Sequence, residues 1–373
     1  MEIASWLMKG AHKAERDLTR RVEREAKPAA AFEPDALVLQ AGGAVEPEQL
    51  LADVARRVQG PARAALPAIL AAGSDAEAQS RFRRLFEQQR DEVLAGLSPA
   101  VDVALGQQML ALDRASTPVL EDGLAGYMGE VMARLRRPRD AFRHHVTLLA
   151  DDVPNAANLG AGAVEVNAGF LPRLQNEAQL AFLLGHEAEH GERRHLVQRA
   201  VLDGIADAFG LRRGGPDFAR VDFLRAIKAA YGDRAGQPGF LYRQLPASAP
   251  GQAKPELVRQ LQLEALVAGT QRGFEHEADQ GALAAMLAGG YDPRQAAAAV
   301  RRFPDKTPPD AWSQFLHALS DPHPTVTERV RTLEGPAEGV TGATEVGEAR
   351  YQAAIAAARP AAPTGRPAYT GGG

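Results

Sequence analysis

Leu180-Ala181-Phe182-Leu183-Leu184-Gly185-His186-Glu187-Ala188-Glu189-His190 reads as one buried helix carrying two histidines four residues apart. Four residues is slightly more than one helical turn, so both imidazoles leave the same face and can hold one zinc ion. Glu187 follows the first histidine directly, close enough to take a proton from a zinc-activated water without being a ligand itself. Asn176 stands at the expected N-cap with Gln179 three residues on, so the helix has its own start signal. The apolar run before the motif is too continuous for a surface helix that happens to carry histidines and acids.

A second helix supplies what the first lacks. Glu275-His276-Glu277-Ala278-Asp279 begins 85 positions after His190, and its helix is expected to stop at Gly289-Gly290 with Pro293 just beyond. Glu275 is the candidate third ligand. Three protein ligands and an open fourth position are the arrangement of catalytic zinc, whereas structural zinc is closed by four. Asp279 lies one turn after Glu275 on the same face and is assigned to hydrogen-bond a ligand imidazole, that of His186, fixing its tautomer. His276 is turned about 100° from Glu275 and is not expected to be a ligand.

The remaining polar residues divide by spacing. His195 is nine residues from His186, which places it on the opposite side of the helix, unable to join the same zinc, as a cap or packing residue. Glu189 reads as part of a solvated helix face, with hydrogen bonding to a ligand histidine or a gain in zinc affinity as the alternative. His144 and His145 alternate along a strand over residues 143–149 and point to opposite faces, which argues against a joint metal role. His323, in Ser320-Asp321-Pro322-His323-Pro324, is held by flanking prolines. It is a candidate to stabilise a tetrahedral oxyanion or to occupy the open zinc position, beside a plainer role in seating the helix of Arg329. In such a site zinc would polarise a scissile carbonyl and lower the pKa of water from about 16 toward 7. Glu187 would take the water proton and hand it to the leaving amine.

The order of motifs resembles the zinc endopeptidase family that includes the heat-shock protease HtpX, the CAAX prenyl proteases and the periplasmic outer-membrane quality-control proteases. The resemblance runs from about residue 101 to 333. It is carried by Asn155-Ala156, by the block from Gly160 to Leu171, by the metal helix extended through Arg194-His195, and by Arg272, Glu275, Ala278 and Asp279. Gly290-Tyr291-Asp292-Pro293 and His323-Pro324 with Arg329 complete it. The chain departs from the family pattern at Ala188-Glu189, where an apolar and a small residue are usual, and at Gln271, where a serine is usual; neither removes a ligand. The resemblance implies an α+β, mostly helical, zincin-like metallopeptidase domain with a small antiparallel sheet, one zinc per chain, and unfolded or misassembled proteins or peptides as substrates. A non-catalytic zinc-binding scaffold or chaperone-like protein of the same fold is the alternative, against which the presence of Glu187 argues.

Composition bounds the rest. At 373 residues, 45% hydrophobic, with a formal net charge of −4 and no cysteine, the chain carries neither a nucleic-acid footprint nor a thiolate metal site. No apolar run approaches the roughly 20 residues needed to span a bilayer. Ile3-Ala4-Ser5-Trp6-Leu7-Met8 is too short for a signal-peptide core, so the sequence as written reads as cytoplasmic, with the cell envelope or periplasm the alternative if a leader is missing.

Three regions are expected: a helical accessory region over residues 1–98, the metallopeptidase domain over 99–335, and a disordered Ala/Gly/Pro-rich tail over 336–373. Residues 1–27 form a basic amphipathic pattern suited to a membrane surface or a partner protein, followed by a linker over 28–43. Helices are expected over 101–113 and 120–136, and a Gly- and Pro-containing connection over 199–269 is a candidate lid. The strand around Ala163–Asn167 is read as a sheet edge, where Ala163, Val164 and Glu165 would pair with an extended substrate.

Overall fold

The computed structural model describes residues 47–120, 123–211, 218–236, 255–304, 310–337 and 344–357, together with positions 240, 245 and 342. The amphipathic segment 1–27, the linker 28–43, parts of the candidate lid (212–217, 237–239, 241–244 and 246–254) and the tail from 358 lie outside the described residues. Helices dominate. In chain order they are α1 (Pro47–Leu70), α2 (Asp75–Gly96), α3 (Pro99–Ser116) and α4 (Gly123–Leu135) before the strands, then α5 (Glu177–Glu192) and α6 (His195–Ala208). After these come α7 (Phe218–Tyr231), α8 (Pro255–Ala288), α9 (Arg294–Val300), α10 (Ala311–Ser320), α11 (Val326–Ala337) and α12 (Glu348–Ala357). Among the described residues no helix is long and apolar enough to cross a membrane.

The sheet has three strands, β1 (His145–Leu149), β2 (Ala156–Gly160) and β3 (Ala163–Asn167), in the order β1-β3-β2. It is mixed, not antiparallel throughout: β2 and β3 form a hairpin, but β1 runs parallel to β3, with Val146 opposite Val164. Gly162 at φ +84° makes the hairpin turn, and a side chain there would strike the Arg143 carbonyl. This topology overturns the edge-strand expectation. β3 is the central strand, hydrogen-bonded on both sides, and all five of its residues are buried. Val164 points into the core beside the metal helix, Ala163 lies beneath Gly106 of α3, and Glu165 faces Asp113. No peptide can pair with Ala163, Val164 or Glu165.

The 34-residue α8 is the spine of the molecule. Its buried residues are not confined to one stripe, as suits a helix packed against several neighbours. Its first turns, with Val258 and Leu261, pack against α7 and α10. Its middle, with Leu263, Leu266, Val267 and Phe274, packs against α1, α2 and α6. Its end, with Ala282, Leu283 and Met286, joins α4, β1, β3, α5 and α9 in the largest core. Residues 47–96 therefore share a core with α6 and α8. Gly185 of α5 faces Ala282 of α8 with van der Waals spacing for a methyl group, so the two helices that carry the candidate ligands approach closely.

The expectation of a disordered tail from residue 336 is corrected over 344–357. Glu345 pairs with the backbone around Tyr291, and α12 buries Tyr351 in the main core. Alanine-rich composition concealed a helix anchored by one aromatic residue and one arginine.

Candidate active site

Helix α5 starts as the capping pattern requires: the Asn176 side chain accepts from the Gln179 N–H at 2.9 Å, and Gln179 Oε1 accepts from the Gln175 N–H at 2.9 Å. Three turns on, His186 and His190 present their Nε2 atoms 3.1 Å apart. The Glu275 carboxylate, from α8, approaches both, at 3.5 Å from His186 Nε2 and 3.6 Å from His190 Nε2. The three donor atoms lie within 4.8 Å of one another. Glu187 is buried beside them, its carboxylate accepting the backbone N–H of Asn158 in β2. Burial, reinforced by the negative charge of Glu275, raises its pKa against the pull of His186, Arg329 and Asn158.

This donor set fits a divalent cation. Asp279 Oδ1 lies 2.9 Å from His186 Nδ1, so that nitrogen carries a hydrogen and Nε2 is the one that would face a cation. Burial pushes the Glu275 carboxyl upward, but His186, His323 and His190 outweigh it and hold the group well below the usual range. His190 is driven well below the ordinary histidine value by burial, then by His186. For His186 burial works downward, yet the hydrogen bonds it donates to Asp279 and Glu275 lift it to about 9. An ionised carboxylate, a neutral imidazole and a second imidazole holding a proton where carboxylates converge are the states that a bound cation would replace or use.

Asp279 is fully buried and stands where the spacing predicted, with a further partner that the spacing did not reveal. Arg329, from α11, donates from Nε to Asp279 Oδ2 at 2.9 Å. The ion pair ties His186 through Asp279 to the helix that follows His323. His323 itself is 60% exposed, and its Nδ1 lies 3.3 Å from Glu275 Oε2. Arg272 holds the approach to that turn, donating to the Asp321 carbonyl at 2.9 Å and the Ala318 carbonyl at 3.1 Å. His276 is outside the donor cluster, as expected. His144 bonds Glu192 at 2.9 Å while His145 is exposed, consistent with strand alternation.

Two expectations fail. Glu189 is not on a solvated face: it is buried, with Arg137 at 2.6 Å and Arg193 at 2.8 Å. Burial alone would raise its pKa, and the two guanidinium groups lower it instead. His195 is not on the far side of the metal helix. α5 ends at Glu192, Arg194 adopts φ +56°, and the chain doubles back so that His195 Nδ1 lies 2.8 Å from His190 Nδ1.

Two histidines and a glutamate converging from crossed helices, with an ionisable carboxylate beside them, form the core of a metallohydrolase site. The sequence model of Peptidase family M48 matches residues 121–337, which takes in both metal-bearing helices and the Arg329 helix. The match covers more than half of the chain, and the protein belongs to peptidase family M48, whose members are zinc metallopeptidases acting on protein or peptide substrates.

Proposed function

We propose that the chain is a zinc endopeptidase that cleaves unfolded or misassembled proteins, with His186, His190 and Glu275 as metal ligands and Glu187 as general base. The observation that carries this reading is the convergence of two imidazole nitrogens and one carboxylate oxygen within 4.8 Å, flanked by the buried Glu187. Zinc held by His186, His190 and Glu275 would supply Lewis acidity, polarising the scissile carbonyl and lowering the pKa of water from about 16 toward 7. Glu187 takes the proton of the attacking water and returns it to the leaving amine nitrogen. Asp279 keeps His186 in the tautomer that leaves Nε2 free. His323, at the exposed side of the Glu275 carboxylate, is the candidate donor to the tetrahedral oxyanion.

The peptide would lie along β2, not β3. Among the described residues β2 pairs only with β3, so its other edge offers backbone groups. Asn158 of that strand bonds Glu187, which brings the edge beside the base. Main-chain pairing is largely indifferent to side chains, and it favours extended segments of unfolded proteins over one tightly read motif.

The test is zinc content together with proteolysis of an unstructured protein such as casein, for wild type and Glu187→Gln. Zinc in both and cleavage in the wild type alone support the reading. Zinc in both and cleavage in neither favour a metal-binding scaffold, and no zinc in the wild type sinks the proposal.

A further inference from the structure

His190 has a polar partner on its far side that mirrors the role of Asp279 toward His186. With Nε2 of His190 turned to the donor cluster, its Nδ1 must carry the hydrogen. The group 2.8 Å away, His195 Nδ1, must then accept. An imidazole accepting at Nδ1 carries its own hydrogen on Nε2, and that nitrogen faces Glu277 Oε2 at 3.4 Å. One assignment of hydrogens satisfies the whole chain: carboxylate, His195, His190, metal side. The reverse assignment would place a hydrogen on His190 Nε2, 3.1 Å from His186 Nε2 and aimed into the ligand cluster.

The backbone is built to deliver this contact. Arg194 is the only non-glycine residue with positive φ among the described residues, a conformation that the surrounding structure must hold in place. Its guanidinium supplies the restraint, donating from Nε to Asp102 at 2.9 Å and to the carbonyls of Leu94 and Leu97 at 3.3 and 2.9 Å. The ring of His195 is then stacked on Phe274 with centroids 4.7 Å apart. Arg193 holds the other end, donating to Glu277 at 3.2 Å and to Glu189 at 2.8 Å.

We propose that His195 and Glu277 are positioning residues that fix the tautomer and orientation of His190, delivered by the left-handed turn at Arg194 that the α2–α3 junction clamps. The inference rests on the zinc reading above. It gives the N-terminal helices a part in the metal site, because Leu94, Leu97 and Asp102 restrain the turn that carries His195.

The experiment is zinc affinity of the full chain, by competition with a chromogenic chelator, for wild type, His195→Phe, His195→Asn and Glu277→Leu, alongside the melting temperature of each metal-free protein. His195→Phe keeps the ring on Phe274 and loses the acceptor; His195→Asn loses the ring and keeps an acceptor oxygen for His190. The relay requires His195→Phe and Glu277→Leu to bind zinc ~10–100-fold more weakly than wild type, with His195→Asn recovering most of the loss despite a lower melting temperature. A packing role alone predicts the opposite order, with His195→Phe at wild-type affinity, and that result overturns the proposal. If His195→Phe does not fold, Glu277→Leu decides alone: unchanged affinity overturns the relay. Wild-type protein that binds no zinc would instead overturn the metal reading beneath it.

Discussion

Arg329 and Asp279 form an ion pair with almost no solvent contact, and the carboxylate oxygen that Arg329 Nη2 meets, Oδ1, is also the one that orients His186. The pair lowers the Asp279 carboxyl below its usual range: burial pushes upward, and Arg329 and His186 outweigh it. Asp279 is therefore ionised at neutral pH, as a hydrogen-bond acceptor for His186 Nδ1 must be.

Arg329→Met should cost ~3–5 kcal/mol of stability, because it leaves the Asp279 charge buried and unpaired. Arg329→Met combined with Asp279→Leu should recover much of that loss, since two apolar groups need no partner. Zinc affinity should not recover, and should stay ~10–100-fold below wild type, because His186 has lost its acceptor. Denaturant unfolding and chelator competition on the same variants separate the two effects. A double variant with wild-type zinc affinity would show that Asp279 serves stability alone.

Glu165 makes stability depend on pH at a place remote from the chemistry. Burial first, then the charge of Asp113, pushes its pKa to about 7. The unfolded value is about 4.3. A folded value above the unfolded one means that the folded state holds the proton more tightly. This stabilising contribution is complete below about pH 4.3 and is lost as pH rises through about 7. Glu165→Gln should therefore raise the melting temperature by a few degrees at pH 8 and change it little at pH 4.5. Equal shifts at both pH values would trace the effect to shape instead of charge.

How much of this was legible depended on how local each feature is. The His186–His190 pair, the Asn176 cap and the stop at Gly289-Gly290 are set within a few residues, so spacing alone located them. The His186–Asp279 contact spans 93 residues, yet it followed from periodicity on α8 once the first ligands were assumed. His195 was misplaced because extrapolating the helix from His186 ignores the break at Arg194, whose left-handed turn depends on Asp102, Leu94 and Leu97. Glu189 looked solvated because its partner Arg137 is 52 positions away. β2, Ala156–Gly160, carries little alternation or strand preference and becomes a strand by pairing with β3. That unseen strand moved Ala163–Asn167 from the edge to the middle of the sheet.

The close approach of α6 to α1 offers a test of how far residues 47–96 support the catalytic helices. A methyl group on Gly204 would collide with the Ala55 carbonyl oxygen and the Val58 side chain. Backbone cannot yield as a flexible side chain can, so Gly204→Ala should cost ~1–3 kcal/mol by overpacking. The gain in helix propensity from glycine to alanine, about 1 kcal/mol, works the other way and is the smaller term. A variant more stable than wild type in urea unfolding would mean that α1 is free to move off α6.

The segment 344–357 straps the start of the metal helix, and its energetics should lie in one aromatic residue. The Val346 carbonyl accepts the Ala178 N–H at 3.0 Å, satisfying a donor that the first turn of α5 cannot pair internally. Arg350 donates twice to Glu177, at 2.9 and 2.7 Å, and Tyr351 is buried with its hydroxyl 2.6 Å from the Leu171 carbonyl. Glu177 also receives Arg134, Tyr127 and Tyr291, so it keeps three partners when Arg350 is removed. Arg350 is 52% exposed, and Arg350→Ala should cost no more than about 1 kcal/mol. Tyr351→Ala empties a buried ring site and should cost ~3–5 kcal/mol, while Tyr351→Phe loses only the hydroxyl bond and should cost about 1 kcal/mol. Denaturant midpoints of the three variants order these terms. An Arg350→Ala loss larger than that of Tyr351→Ala would mean that the strap is held by charge, contrary to what its burial implies.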